Sequence, residues 1–137
     1  MIKFNYETNF LLKKEMEIQR WLENCIASYG FKVDELNYIF CDDDYLLKLN
    51  IEFLNHDTLT DIISFDYSMG KKIGGDIFIS VERVVENAKK FSQTIDNEMN
   101  RLLIHGVLHF MGFKDKSDTE KELMRLEEDR CLDNFKT

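Results

Sequence analysis

The sequence predicts an α/β domain of the α+β kind: a mixed four-stranded sheet with about five helices packed against it, one of them a buried helix bearing two histidines. Three observations predict it. Short alternating or apolar runs of strand type stand at about residues 2–6, 35–41, 61–67 and 75–81. Longer stretches with apolar positions at helical spacing lie between and after them. The resulting order, βαβαββααα, gives helices that outweigh strands and a sheet with at least one antiparallel pair. With 137 residues, 44% of them hydrophobic, and no proline, the chain is long enough for a real core and too short for two comfortable domains, so a single domain over residues 1–137 is expected. No repeat or low-complexity segment suggests a linker.

The elements follow in order. Ile2, Phe4 and Tyr6 alternate with polar residues as in a short strand. From about residue 10 to 28, Leu11, Leu12, Ile18, Trp21, Leu22, Cys25 and Ile26 recur at helical spacing, and Gly30 ends the run. Glu35 to Cys41 reads as a second strand. Asp42-Asp43-Asp44 then supplies a carboxylate N-cap and favourable first-turn charge for a helix to about Phe53; three consecutive carboxylates at a helix start need no metal ion to explain them. Asn55 to Thr60 is a polar turn, and residues 61–67 and 75–81 are two strands joined through Ser68 to Gly74. Helices are expected at about 82–92 and 96–112, and Ser117-Asp118-Thr119-Glu120 has the spacing of a capping box opening a last, charged helix to about Leu132.

The most informative stretch is His105-Gly106-Val107-Leu108-His109-Phe110-Met111-Gly112-Phe113-Lys114-Asp115. Two histidines four apart project from one helix face, close enough for both imidazoles to reach one divalent ion. Gly112 allows a left-handed exit, so the chain can double back and bring Asp115 to the same point. Two nitrogens, a carboxylate and an open position make a catalytic rather than a structural metal set. Both histidines sit in an apolar run, and burying two unpaired imidazoles would cost on the order of 1–3 kcal/mol each, which favours a metal over two satisfied core histidines. The spacing matches that of metzincin peptidases, glycine included, but Gly106 stands where the peptidase base, a glutamate, is required, so peptide hydrolysis is disfavoured.

In this motif the chain resembles the YbeY family, bacterial rRNA maturation factors described as metal-dependent, single-strand-specific endoribonucleases. The family pattern H-G-x-L-H-x-x-G-[YF]-x-H is met by His105, Gly106, Leu108, His109, Gly112 and Phe113. Two weaker family segments stand as Thr60-Asp61-Ile62-Ile63-Ser64-Phe65 and Gly75-Asp76-Ile77-Phe78-Ile79, in the expected order, so the resemblance covers about residues 35–130. It implies one divalent ion held by His105, His109 and Asp115, and action on single-stranded RNA in rRNA processing: small-subunit 3′-end maturation and ribosome quality control. It also implies possible ribosomal-protein partners of the small subunit, and neither DNA nor a membrane as partner. Two departures stand out. Asp115 replaces a third histidine, an anionic oxygen for a neutral nitrogen; zinc is expected first, with nickel, manganese or magnesium as alternatives. Leu54 occupies a position where many relatives carry arginine, and no arginine lies between Arg20 and Arg83. His56 in the same turn is a candidate substitute cation or an unremarkable loop histidine, and Asp76 is either a polar group aimed at the cleft or the end of a strand.

The formal charge of −8 and a pI near 4.9 are the main objection to an RNA-binding role, which normally shows a basic face. Lysines occur at Lys13-Lys14, Lys71-Lys72, Lys89-Lys90 and around Asp115 as Lys114 and Lys116, with Arg83 and Arg101 besides; acidic residues gathered in the last helix would leave a positive patch elsewhere. Two other classes therefore stay open: a non-catalytic ribosome-assembly factor with a structural metal, and a metal hydrolase of a small substrate. No run of eighteen apolar residues occurs and the start lacks a signal-peptide core, so a soluble cytoplasmic protein is expected. Cys25, Cys41 and Cys131 form no C-x-x-C pair and are expected to be buried thiols.

Overall fold

The computed structural model describes residues 1–56 and 58–135; Asp57, part of the expected polar turn, lies outside the described residues. Strand β1 (Ile2–Tyr6) leads through helix α1 (Glu15–Ser28) to β2 (Lys32–Cys41), and α2 (Asp43–Leu54) leads to β3 (Ile62–Asp66) and β4 (Lys72–Ser80). Three helices complete the chain: α3 (Val81–Lys90), α4 (Ile95–Phe110) and α5 (Asp118–Phe135). The sheet order is β1-β2-β4-β3. β1 and β4 both run parallel to β2, while β3 pairs antiparallel with β4 at the edge, so the sheet is mixed as expected.

Strand alternation divides the core in two. On one face Leu36, Tyr38, Phe40, Ile77 and Ile79 are buried beneath α1, α4 and α5, and the Tyr38 hydroxyl donates to the Leu103 carbonyl of α4 at 2.7 Å. On the other face Cys41 and Ile63 join Leu46 of α2 in a smaller cluster flanked by Phe65 and Phe78. All three cysteines are buried and free.

The caps follow the sequence. Asp42 accepts from the Tyr45 amide at 2.9 Å to start α2, and Asp43 takes the Ser80 hydroxyl at 2.7 Å and Arg83 Nε at 3.1 Å, so the aspartate run is a cap tied to the start of α3. Ser117 and Glu120 form the reciprocal capping box, with the Ser117 amide on Glu120 Oε1 at 2.9 Å and the Glu120 amide on Ser117 Oγ at 3.1 Å.

Several boundaries differ from expectation, among them the starts of α1, β2 and β4 and the end of α5. The first helix starts at Glu15 rather than near residue 10, because Phe10 turns onto the rings of Tyr6 and Phe40, at 6.2 and 5.3 Å between centroids, and Lys14 takes a left-handed conformation. Helical spacing at Leu11 and Leu12 is therefore coincidental. β4 begins at Lys72, earlier than residue 75, because Lys32 and Val33 of β2 extend the ladder to Lys72 and Ile73, and reciprocal hydrogen bonds between Met69 and Lys72 tighten the turn before it. Among the described residues, no helix is long and apolar enough to cross a membrane.

Candidate metal centre

From Arg101 to Phe110 helix α4 is buried nearly all round, and the residues there that keep partial exposure are Arg101, His105 and His109, each four apart. That spacing makes a polar seam along one side of an otherwise apolar helix. Gly106 lies against the sheet, where a Cβ would meet Ile77 Cδ1 at 2.8 Å, so a glutamate there would be driven into the core rather than towards a substrate. The absence of a peptidase base is thus built into the packing. Gly112 exits the helix with φ of +102°, as its position predicts, and the chain returns to place Asp115 beside the seam.

His105 Nε2 and His109 Nε2 lie 3.0 Å apart, and Asp115 Oδ2 is 3.3 Å from the first and 3.2 Å from the second. Among the described residues this trio is the one group of three or more such side chains that could hold a metal ion. Its edges fit: a tetrahedral site with metal–ligand bonds of about 2.0–2.1 Å has ligand–ligand edges of roughly 3.3–3.4 Å. The tautomer fits as well. His105 Nδ1 sits 2.6 Å from Glu128 Oε2, and a proton held there by the carboxylate leaves the Nε2 lone pair facing the other two donors.

Glu128 is buried in α5 and is held on its other oxygen by Arg101 Nη1 at 2.8 Å, while Arg101 Nη2 reaches Asp129 at 2.6 Å. Burial acts to depress the His105 pKa, but the hydrogen bond and charge of Glu128, with Asp115 and Asp61 behind them, raise it above the ordinary histidine value. Asp61, at the start of β3, is pushed up by burial, and its Oδ2 accepts from Asn87 Nδ2 at 3.4 Å. Beside the trio opens a cleft of about 330 Å³ lined by His105, Asp115, Lys121, Met124, Arg125 and Glu128.

The model of the family described as Endoribonuclease YbeY matches residues 3–136, well beyond the stretch that carries the sequence resemblance. The chain belongs to the YbeY family. A YbeY endoribonuclease of Flavobacterium johnsoniae is 56% identical over 135 residues, covering 98% of this chain and 97% of that protein. That of Flavobacterium psychrophilum is 53% identical over 135 residues, covering 98% and 96%. The solution structure of a Thermotoga maritima protein superposes with a TM-score of 0.71 at 25% identity, covering 98% of this chain and 89% of that one.

On this YbeY scaffold neither of the two other candidates from the sequence is part of the trio. Asp76 pairs across the sheet with Asn37, whose Nδ2 donates to it at 3.1 Å, and strand alternation puts it on the α2 face, opposite Ile77 and α4. Its side chain is turned away from the cleft on α4. His56 is exposed just past the end of α2, with its amide on the Asn50 carbonyl at 3.1 Å, and Leu54 is exposed in the last turn of that helix. Sequence reasoning missed Glu128, named Arg101 only among the chain's cations, and quoted Asp61 only within a family segment. One signal was there for Glu128: it falls on the stripe Met124, Glu128, Cys131 and Leu132, the single charge on the buried face of α5.

Proposed function

We propose that this chain is a metal-dependent endoribonuclease that cuts single-stranded RNA, with rRNA as substrate in the cytoplasm and the ribosome's small subunit as the setting. His105, His109 and Asp115 hold the ion, with zinc as the first choice and nickel, manganese or magnesium as alternatives. The observation that carries this reading is the triangle of two imidazole nitrogens and one carboxylate oxygen, with edges of 3.0 to 3.3 Å, beside an open cleft. The family supplies RNA as the polymer and hydrolysis as the reaction class.

When bound, a divalent ion supplies Lewis acidity towards a phosphate oxygen and a lowered pKa for water. The chain's own groups do the rest. Glu128 fixes the His105 ring and its tautomer, and Arg101 holds Glu128 in place, so the donor atoms are set before substrate arrives. Asp61, poised by burial to take up a proton more readily than an ordinary carboxylate, is the group next to the trio best suited to move one during attack by water or the RNA 2′-hydroxyl.

The test is metal analysis and RNA cleavage side by side, on protein purified without chelator or histidine tag, for the natural chain and His109→Ala. The natural protein should carry about one equivalent of ion and cut a single-stranded rRNA fragment, and the variant should lose both while keeping its circular dichroism spectrum. Cleavage that survives in a folded, metal-free His109→Ala protein would overturn the reading.

A further inference from the structure

We propose that Lys121 and Arg125 of α5 form a phosphate clamp for the RNA backbone at the edge of the metal centre, a role that builds on the endoribonuclease reading above. The two residues are one turn apart, at i and i+4, and so project from the same side of the helix. Both line the cleft that also contains His105, Asp115 and Glu128.

Electrostatics demands cations here. The cleft already gathers the carboxylates of Asp115 and Glu128, Asp61 acts on His105 through its charge, and the whole chain is formally −8. A phosphodiester that entered unaided would be repelled, and a single divalent ion held by one carboxylate with two more nearby leaves little net attraction for a polyanion. Arg101, on α4 beside the trio, is committed: it spends both terminal nitrogens on Glu128 and Asp129. Arg83 is bound to Asp43, and Arg130 to Glu127 and the face of Tyr29.

Lys121 and Arg125 differ from these. Both are exposed, and among the described residues neither side chain makes a hydrogen bond or an ion pair; the field of Arg125 is felt at Glu98 of α4, across the helix interface. Met124, between them, is buried and fixes the rotation of α5, so the two cations face the cleft instead of wandering over an unanchored helix. An uncommitted guanidinium can take two phosphate oxygens at once, and a lysine one turn away adds a point charge for the neighbouring phosphate. The sequence has no arginine from residue 21 to 82, so α2 and β3 carry no guanidinium of their own.

The experiment is fluorescence anisotropy of a labelled single-stranded oligouridylate against the full-length protein at several salt concentrations, with cleavage and metal content measured on the same samples. For single strands each phosphate contact contributes a slope of about 0.7 in log affinity against log salt. Lys121→Ala/Arg125→Ala should retain its metal and its melting temperature, lower the slope by about 1.4, and lose cleavage in proportion to binding. Lys89→Ala/Lys90→Ala removes the same charge from α3 and should leave the slope unchanged. Equal losses in both double variants would mean that only bulk charge matters, and an unchanged slope in the α5 variant would mean that RNA does not use this wall; either overturns the clamp. If the natural protein neither binds nor cuts the oligonucleotide, the clamp and the endoribonuclease reading fall together, whereas normal cutting by the α5 variant overturns the clamp alone.

Discussion

Helices α4 and α5 pack against each other and meet at one cleft, but they are made differently. Of the 16 residues of α4, eight are buried and seven of those are apolar side chains; of the 18 residues of α5, four are buried and one of the four is Glu128. At about 1.5–3 kcal/mol for each large apolar side chain taken out of water, α4 is held by the core with far more energy than α5. The difference suits their roles. The helix that presents His105 and His109 must not move, while the helix that reaches over them needs one buried anchor line and is otherwise free to carry charge. A rigid donor pair and a charged wall come from neighbouring elements because one helix could not satisfy both demands.

The largest effect should come from disturbing the tight side of this comparison. In Gly106→Val, added branches meet Ile77, which is already 2.8 Å from where a Cβ would stand, with Ile62 at 3.4 Å. Overpacking of a filled core costs about 1–3 kcal/mol and at times more, and the small helix-propensity gain over glycine does not offset it. Chemical denaturation should show the loss. A variant as stable as the natural chain would mean that α4 is not packed as closely as the structure has it.

Next is the charged wall. Glu128→Gln keeps the shape of the side chain but removes the charge that holds His105 Nδ1 and Arg101. Loss of such an outer carboxylate typically costs about 10–100-fold in metal affinity. Competition against a chromophoric chelator reads that number directly, and an unchanged affinity would reduce α5 to a packing element.

The smallest effect concerns the sheet edge that packs against α4. Burial raises the Asp61 pKa, so in the metal-free protein the unfolded chain loses its proton at lower pH than the folded one. The stability it allows is fully present below the unfolded carboxylate value and is lost as pH rises through the folded one. Asp61→Asn should therefore stabilise the metal-free protein near neutral pH and flatten this fall between acidic and neutral pH, as followed by denaturation at several pH values in chelator. The same fall in both proteins would show that the carboxylate is better solvated than its position implies.

Much of the molecule was legible in the chain itself. The nine elements came in the right order, the antiparallel β3–β4 pair was expected, and the capping box at Ser117 formed as its spacing implied. So did the donor trio, since two residues four apart on a helix share a face and a glycine exit at residue 112 returns the chain over a short distance. These are consequences of local geometry, carried by neighbours within one helical turn or one hairpin. Where tertiary context decides, the chain alone does not: Leu11 and Leu12 have helical spacing but no helix, and of the readings open for Asp76 it is packing that puts the side chain on the face away from the trio.

The sequence by itself thus determined the fold class, the order of elements and which three side chains converge. Only the tertiary structure decided what surrounds them. Glu128 is 23 residues from His105, and nothing periodic links the two; their contact exists because Met124, Cys131 and Leu132 turn α5 so that its one buried charge points at the seam on α4. Composition makes the last helix acidic, yet Lys121 and Arg125 of that same helix line the cleft. Charge counted along a chain ignores direction, whereas an α-helix sorts it every 100° around its axis, and which side faces the site is settled by packing alone.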